Sequence, residues 1–240
     1  IFNNLKEIKK DLKKNKIVII KNYYNTNFCD KIKKYLSIIG KNTIPNYQSI
    51  SLNCPNFYRI NFEDKRSIVK GFFHQFSFFP WNNDQLDFFK DFGEVFELKN
   101  LLTELPSKKF FNPKNNNDCT IRLSFQFYPK SKGYLNPHSD PVSYHQKHLV
   151  QLCLTNLNKD FRKGGLYVIL KKKKIYLDKY TSTGDLILFN ADITHGVETI
   201  DPKVKYKPLN FKGRWMVIFS TNKLLNNKII KNSKQKKGLY

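Results

Sequence analysis

The segment Pro137-His138-Ser139-Asp140-Pro141 sets an imidazole and a carboxylate two positions apart. In extended backbone, residues i and i+2 project to the same side, so His138 and Asp140 can converge on one point and supply two of the three donors of a facial metal site. Alone, an HxD is common by chance and reads more readily as a surface turn. A second imidazole, His195, opens a strand in GDLILFNADITHGVETI, after a turn, a hydrophobic strand and a short corner. Arg214 follows 19 positions later in GRWMVIFS, an apolar strand where a buried guanidinium needs an anionic partner. Together, the HxD, a histidine more than fifty residues on and an arginine in the final core strand form the pattern of a two-His-one-carboxylate iron site with an anchored oxoacid.

Short strands must hold these side chains. Between 119 and 221, CTIRLSFQFYP, HLVQLCLTNL, GGLYVIL, KKIYLDKY, GDLILFN, THGVETI and GRWMVIFS carry strand-forming residues, with Gly, Pro, Asn or Lys between them. That spacing predicts an antiparallel sandwich or barrel. In the first strand Arg122, Ser124, Gln126 and Tyr128 share one face, and Leu123, Phe125 and Phe127 the other. If helices cover the apolar face, the polar one lines an interior cavity; otherwise it points to water.

Residues 1–118 are expected to be mainly helical support with an early strand. A lysine-rich amphipathic stretch leads into a β-branched run at 17–20, and Asn27 or Thr26 can cap a helix through FCDKIKKYLSII. The aromatic-dense segment that follows turns at 80–83 and enters another helix, its phenylalanines in the core. Residues 222–240 read as a frayed helix or basic tail with no chemistry attached. No internal repeat or linker interrupts the chain, so 1–240 is expected to be one domain.

Over 240 residues the formal charge is +24, from 43 Lys+Arg against 19 Asp+Glu. Only Arg59, Arg66, Arg122, Arg162 and Arg214 are arginine, so 43 − 5 = 38 of the cations are lysine, accompanied by many asparagines. A-rich codons account for that composition, and scattered lysine solvates a surface, whereas readers of phosphates and bases favour the planar arginine fork. Nucleic acid is therefore not the expected partner. No apolar run approaches the roughly 20 residues of a membrane span, and IFNNLKEIKKDLKK lacks the apolar core of a signal peptide. Cys29, Cys54, Cys119 and Cys153 form no CxxC pair, which points to a reduced, cytoplasmic compartment, with Cys153 as a small core residue. His145 and His148 read as surface or capping residues, and Gly164-Gly165 as a turn rather than a phosphate loop.

The stretch from about 119 to 221 resembles the double-stranded β-helix of the Fe(II)/2-oxoglutarate-dependent dioxygenases, above all in GDLILFNADITHGVETI. IVIIKNYYNTNFCDKIKKYL resembles the strand-then-helix entry of the phytanoyl-CoA and prolyl hydroxylase-like branches. The resemblance implies a mostly β fold with flanking helices (α+β), its jelly-roll or cupin-like core packed against N-terminal helices. It implies Fe(II), 2-oxoglutarate as co-substrate and O2, with His138, Asp140 and His195 as iron ligands. Arg214 would hold the distal carboxylate of 2-oxoglutarate. Many members place Ser or Thr two positions after this arginine; Met216 stands there instead, which gives weight to Tyr128 as a donor, with Gln151 or Thr155 behind it. The retained Asp140 implies hydroxylation rather than halogenation.

For the substrate the candidate contacts are Arg122, Gln126 and Trp81. An inward Arg122 hints at a substrate carboxylate or at a structural salt bridge. The expected function is hydroxylation of an unactivated C–H of a small polar metabolite or amino-acid-like substrate, with succinate and CO2 as co-products. The alternatives are a non-oxidative metal-binding cupin, or an oxygenase acting on a protein side chain or nucleic acid. The nucleic-acid demethylase branch carries a further arginine six positions after the first, where this chain has Ser220.

Overall fold

Strand β4 (Cys119–Pro129) shows how the molecule is layered. Its apolar face, with Ile121, Leu123, Phe125 and Phe127, belongs to a core shared with the helices, while its polar face looks into a cavity. The computed structural model describes residues 4–62 and 64–236.

Three α-helices form the outer layer: α1 (Leu5–Lys13), α2 (Thr26–Asn42) and α3 (Phe88–Leu102). The cap of α2 is Asn25, one position before those expected, whose side chain accepts the Phe28 N–H at 2.8 Å. Phe88 of α3 lies 4.7 Å from Phe125, and Phe92 and Phe96 meet Phe219 edge-on at 5.4 and 5.3 Å between ring centroids. Each of these rings is fully buried, and such burial contributes about 1.5–3 kcal/mol.

The strands are β1 (Val18–Ile20), β2 (Phe57–Asn61), β3 (Gly71–Phe78), β4, β5 (Tyr134–Ser139), β6 (His148–Cys153), β7 (Gly165–Leu170), β8 (Lys173–Tyr176), β9 (Leu186–Asn190), β10 (His195–Glu198), β11 (Gly213–Lys223) and β12 (Lys234–Gln235). The pairing path runs β1-β9-β6-β11-β4-β3-β5-β10-β7-β8, with β2 on β3 and β12 on β5, and every pair is antiparallel. The path folds over at β3. Residues 74–78 of that strand pair with β4, while Gly71 and Phe72 pair with β5. The result is a double-stranded β-helix: a larger layer of β1, β9, β6, β11, β4, β3 and β2 faces a smaller one of β8, β7, β10, β5 and β12. Phe73, Leu149, Leu166, Val168, Phe189 and Met216 are among the side chains packed between the layers.

Three expectations need correcting. Residues 57–78 are not helical support but contribute β2 and β3 to the larger sheet. All eight residues of β3 are buried, one face under the helices and the other toward the cavity, so its phenylalanines hide a period of two. Residues 224–236 contain no helix; they cross the molecule and add β12 to β5. His145 is buried at 3% exposure on the cavity wall rather than at the surface.

Candidate metal centre and its cavity

β5 carries His138 at its end, Asp140 follows directly, and β10 begins with His195 paired to His138 across the ladder. One ligand atom from each of His138, Asp140 and His195 lies within 4.8 Å of the others. The two imidazole centroids are 4.2 Å apart, and His195 Nε2 is 3.7 Å from Asp140 Oδ2. Each ring is fixed by its own backbone: His138 Nδ1 lies 2.9 Å from the Asn136 carbonyl and His195 Nδ1 2.9 Å from the Ile193 carbonyl. An Nδ1–H donated to a carbonyl leaves Nε2 with its lone pair, the tautomer a metal requires.

Electrostatics agree with that assignment. Burial and the neighbouring His138 push His195 down to about 4, so its imidazole is neutral at physiological pH. For Asp140, burial raises the carboxyl, but the two imidazoles, the Ser233 hydroxyl and Lys99 outweigh it and hold the group below its usual value. Ser233 Oγ donates to Asp140 Oδ1 at 2.6 Å, and the Asp140 N–H donates to the Ala191 carbonyl at 2.9 Å. Two imidazole nitrogens and one carboxylate suit a divalent first-row metal, and three protein donors leave further coordination positions open. A closed structural zinc site would need a fourth protein donor.

The cavity measures about 460 Å3 and contains all three side chains in its wall, together with Tyr128, Gln126, Gln151 and Arg122. Tyr128 is fully buried and donates its hydroxyl to Gln126 Oε1 at 2.5 Å, while Gln151 Oε1 has no partner. Arg214 is not part of this lining. It stands opposite Tyr128 in the β4–β11 ladder, 1% exposed, with Nε donating to Asp178 Oδ2 at 2.8 Å. Asp178 lies in the single 3₁₀ turn after β8 (Leu177–Lys179) and also accepts the Leu166 N–H at 2.5 Å. Gly165, at φ 113°, makes room for that carboxylate, since a Cβ there would collide with Asp178 Oδ2.

Thr155 is engaged in the backbone, accepting from Trp215 N–H and donating to the Trp215 carbonyl. Trp81 does not line the cavity; it stacks on Phe79 at 5.1 Å and donates its indole N–H to the Cys54 carbonyl. Asp178, Ser233 and Arg59 also belong to the surroundings of the site. Asp178 sits among lysines and looks solvated, and Ser233 meets Asp140 across 93 positions, so neither carries a local signal. Arg59 did carry one, because Phe57, Arg59 and Asn61 alternate with Tyr58 and Ile60 as a half-buried strand does.

No family model matches this sequence, and no curated protein sequence does. Solved structures do match. A prolyl-4-hydroxylase from Pseudomonas putida superposes with a TM-score of 0.55 at 12% identity, over 89% of this chain and 96% of that one. A Trichoplax adhaerens prolyl hydroxylase, bound to a hypoxia inducible factor peptide fragment, gives 0.53 at 12% identity over 92% of each chain. The epimerase SnoN, in complex with Fe3+, alpha ketoglutarate and nogalamycin RO, gives 0.53 at 7% identity over 99% of this chain and 97% of that one. The fold is therefore that of the Fe(II)/2-oxoglutarate oxygenases. The described residues contain no helix long and apolar enough to cross a membrane.

Proposed function

We propose that this protein is an Fe(II)- and 2-oxoglutarate-dependent oxygenase that hydroxylates a C–H bond of a small polar metabolite or amino-acid-like molecule. The observation that carries this reading is the convergence of two Nε2-presenting imidazoles and a carboxylate on the wall of one cavity, within a fold shared with such oxygenases. His138, Asp140 and His195 would hold the iron. With 2-oxoglutarate and dioxygen the iron supplies the oxidising power to insert one oxygen atom into substrate, the other leaving in succinate as CO2 is released.

The protein's own part is placement. The Asn136 and Ile193 carbonyls fix the imidazoles, Ser233 fixes the carboxylate, and the apolar wall of Phe73, Leu149, Leu166 and Met216 excludes bulk water. Arg214 would bind the distal carboxylate of 2-oxoglutarate through its Nη atoms, since Asp178 occupies Nε, exchanging the weak Nη1 contact with Met216 Sδ at 2.9 Å, with Tyr128 and Gln151 as neighbouring donors. The pairing of Arg214 with Asp178 also favours a second reading, a cupin-like metal protein without an oxoacid anchor. Incubating iron-loaded protein with small polar acids, 2-oxoglutarate and isotopically labelled dioxygen separates the two. Succinate formation with one labelled oxygen in a product supports the hydroxylase. Succinate without product oxygen identifies another oxidative outcome, and no succinate favours the non-oxidative protein.

A further inference from the structure

Arginine is rare in this chain, and its placement is uneven. Of five arginines among 43 basic residues, Arg59, Arg66 and Arg122 line the cavity that holds the His-Asp-His cluster. Lys223 and Lys231 line it as well, and Asp140 is the one carboxylate among the described lining residues. Arg66 is answered by Asp64 at 2.7 Å. Arg59 and Arg122 are not: neither forms an ion pair with a described carboxylate, and the Nε of each is buried without a hydrogen-bond partner. Arg59 reaches Gln75 Oε1 at 3.3 Å and the side chain of Tyr47, whose ring lies 5.0 Å from its Cζ, and Asp64 supports it only through the field rather than by an ion pair. Burial and the adjacent Arg59 push Arg122 down to about 9, so Arg122 bears an uncompensated like charge at the cavity wall. Where only a positive charge is wanted this chain uses lysine; a guanidinium offers a flat fork matched to an oxyanion.

We infer that Arg59 and Arg122 form an oxyanion subsite for the substrate, which therefore carries a carboxylate or phosphate group at the end of the cavity away from Arg214. This rests on the oxygenase reading above for its substrate role, but not for the existence of the subsite. Two guanidiniums without a direct ion-pair partner suit a doubly charged group or two neighbouring carboxylates. The positive wall also raises the local concentration of anionic metabolites. Arg122 stands opposite Ser220, and the wall continues with Ser124, whose buried hydroxyl has no partner and can donate to an oxyanion beside the guanidiniums.

The test is calorimetric titration of the metal-free full-length protein with inorganic phosphate, malonate and neutral malonamide, in wild type, Arg59→Gln, Arg122→Gln, Arg122→Lys and the surface control Lys171→Gln. Saturable 1:1 binding of phosphate or malonate but not malonamide is expected. It should be weaker by about tenfold or more in both Gln variants, partly retained in Arg122→Lys and unchanged in Lys171→Gln. Tighter phosphate binding assigns a phosphate monoester, and tighter malonate binding a carboxylate. Equal affinity in wild type and both Gln variants, or only weak non-saturating uptake, overturns the subsite. The same variants are then titrated with Mn(II) and 2-oxoglutarate. If Arg122→Gln loses 2-oxoglutarate while Arg214→Gln keeps it, the pair anchors the co-substrate and the substrate assignment falls. If wild type binds no 2-oxoglutarate yet the anion results hold, the oxygenase reading fails and the oxyanion subsite alone survives.

Discussion

Arg214 and Arg122 sit on adjacent strands of one sheet, the first fully buried and the second half-buried at the cavity wall, in opposite company. Arg214 has Asp178 at 2.8 Å, held in turn by the Leu166 N–H, and lies outside the cavity lining. Arg122 has the like charge of Arg59 nearby, no ion-pair partner and a place in the cavity wall. A buried lysine is intermediate in its company. Lys99 on α3 has no carboxylate partner, but its three donors reach Gln146 Oε1, the Phe219 carbonyl and Thr221 Oγ1 at 3.1, 2.8 and 3.2 Å. The contrast teaches where the fold completes its electrostatics by itself and where it leaves that to a ligand. The scaffold already compensates Arg214 through its Nε and Lys99 through all three of its donors, whereas Arg122 has no partner but a ligand.

Removing the partner of the scaffold arginine should give the largest effect. Asp178→Ala leaves a buried guanidinium uncompensated and is expected to destabilise the protein by about 3–5 kcal/mol in urea unfolding. A loss under about 1 kcal/mol would break the distinction between the two arginines.

Lys99 gives a pH-dependent version of the same argument. Burial lowers its amine to about 7, against 10.5 when unfolded, so above pH 7 the unfolded chain binds the extra proton. Stability attributable to this group is lowest below pH 7 and rises toward pH 10.5, by at most about 1.4 kcal/mol per pH unit. The stability difference between wild type and Lys99→Met should therefore shift in favour of wild type between pH 7 and 8.5. A flat difference would mean the amine stays charged in the fold.

A smaller effect is expected at the cluster itself, where Ser233→Ala removes the hydroxyl that orients Asp140. Mn(II) affinity, followed by competition with a chelating dye, should fall roughly tenfold with little change in unfolding midpoint. Smallest of all is Arg122→Gln without ligand, whose stability should match or exceed wild type by up to about 1 kcal/mol, since a cation lacking its counter-charge is lost. A clear destabilisation in unfolding experiments would place Arg122 with the scaffold instead.

Much of this arrangement is legible in the residues. The i, i+2 geometry of His138 and Asp140 and the two faces of CTIRLSFQFYP follow from strand period alone, and GDLILFN does become β9. The strand β3 was opaque because helices bury one face and the cavity wall the other, leaving no polar rhythm to read among its aromatics. The role of the last segment was opaque for a different reason. Ser233 and β12 meet β5 only through tertiary contact, and nothing in the polar run KNSKQ at 231–235 distinguishes a solvated tail from a strap across a site. Arg214 was legible as a buried charge in need of an anion, but its partner in the fold, Asp178, was not.

The central claim is that the His-Asp-His cluster binds iron together with 2-oxoglutarate, separately from the Arg59 and Arg122 wall. Anaerobic titration of the apo-protein with Fe(II) and 2-oxoglutarate tests it most directly, because the weak visible charge-transfer band requires metal and chelated oxoacid at once. The account predicts the band in wild type and in Arg122→Gln, and its loss in His138→Ala. A folded, iron-loaded wild-type protein that shows no band would contradict it.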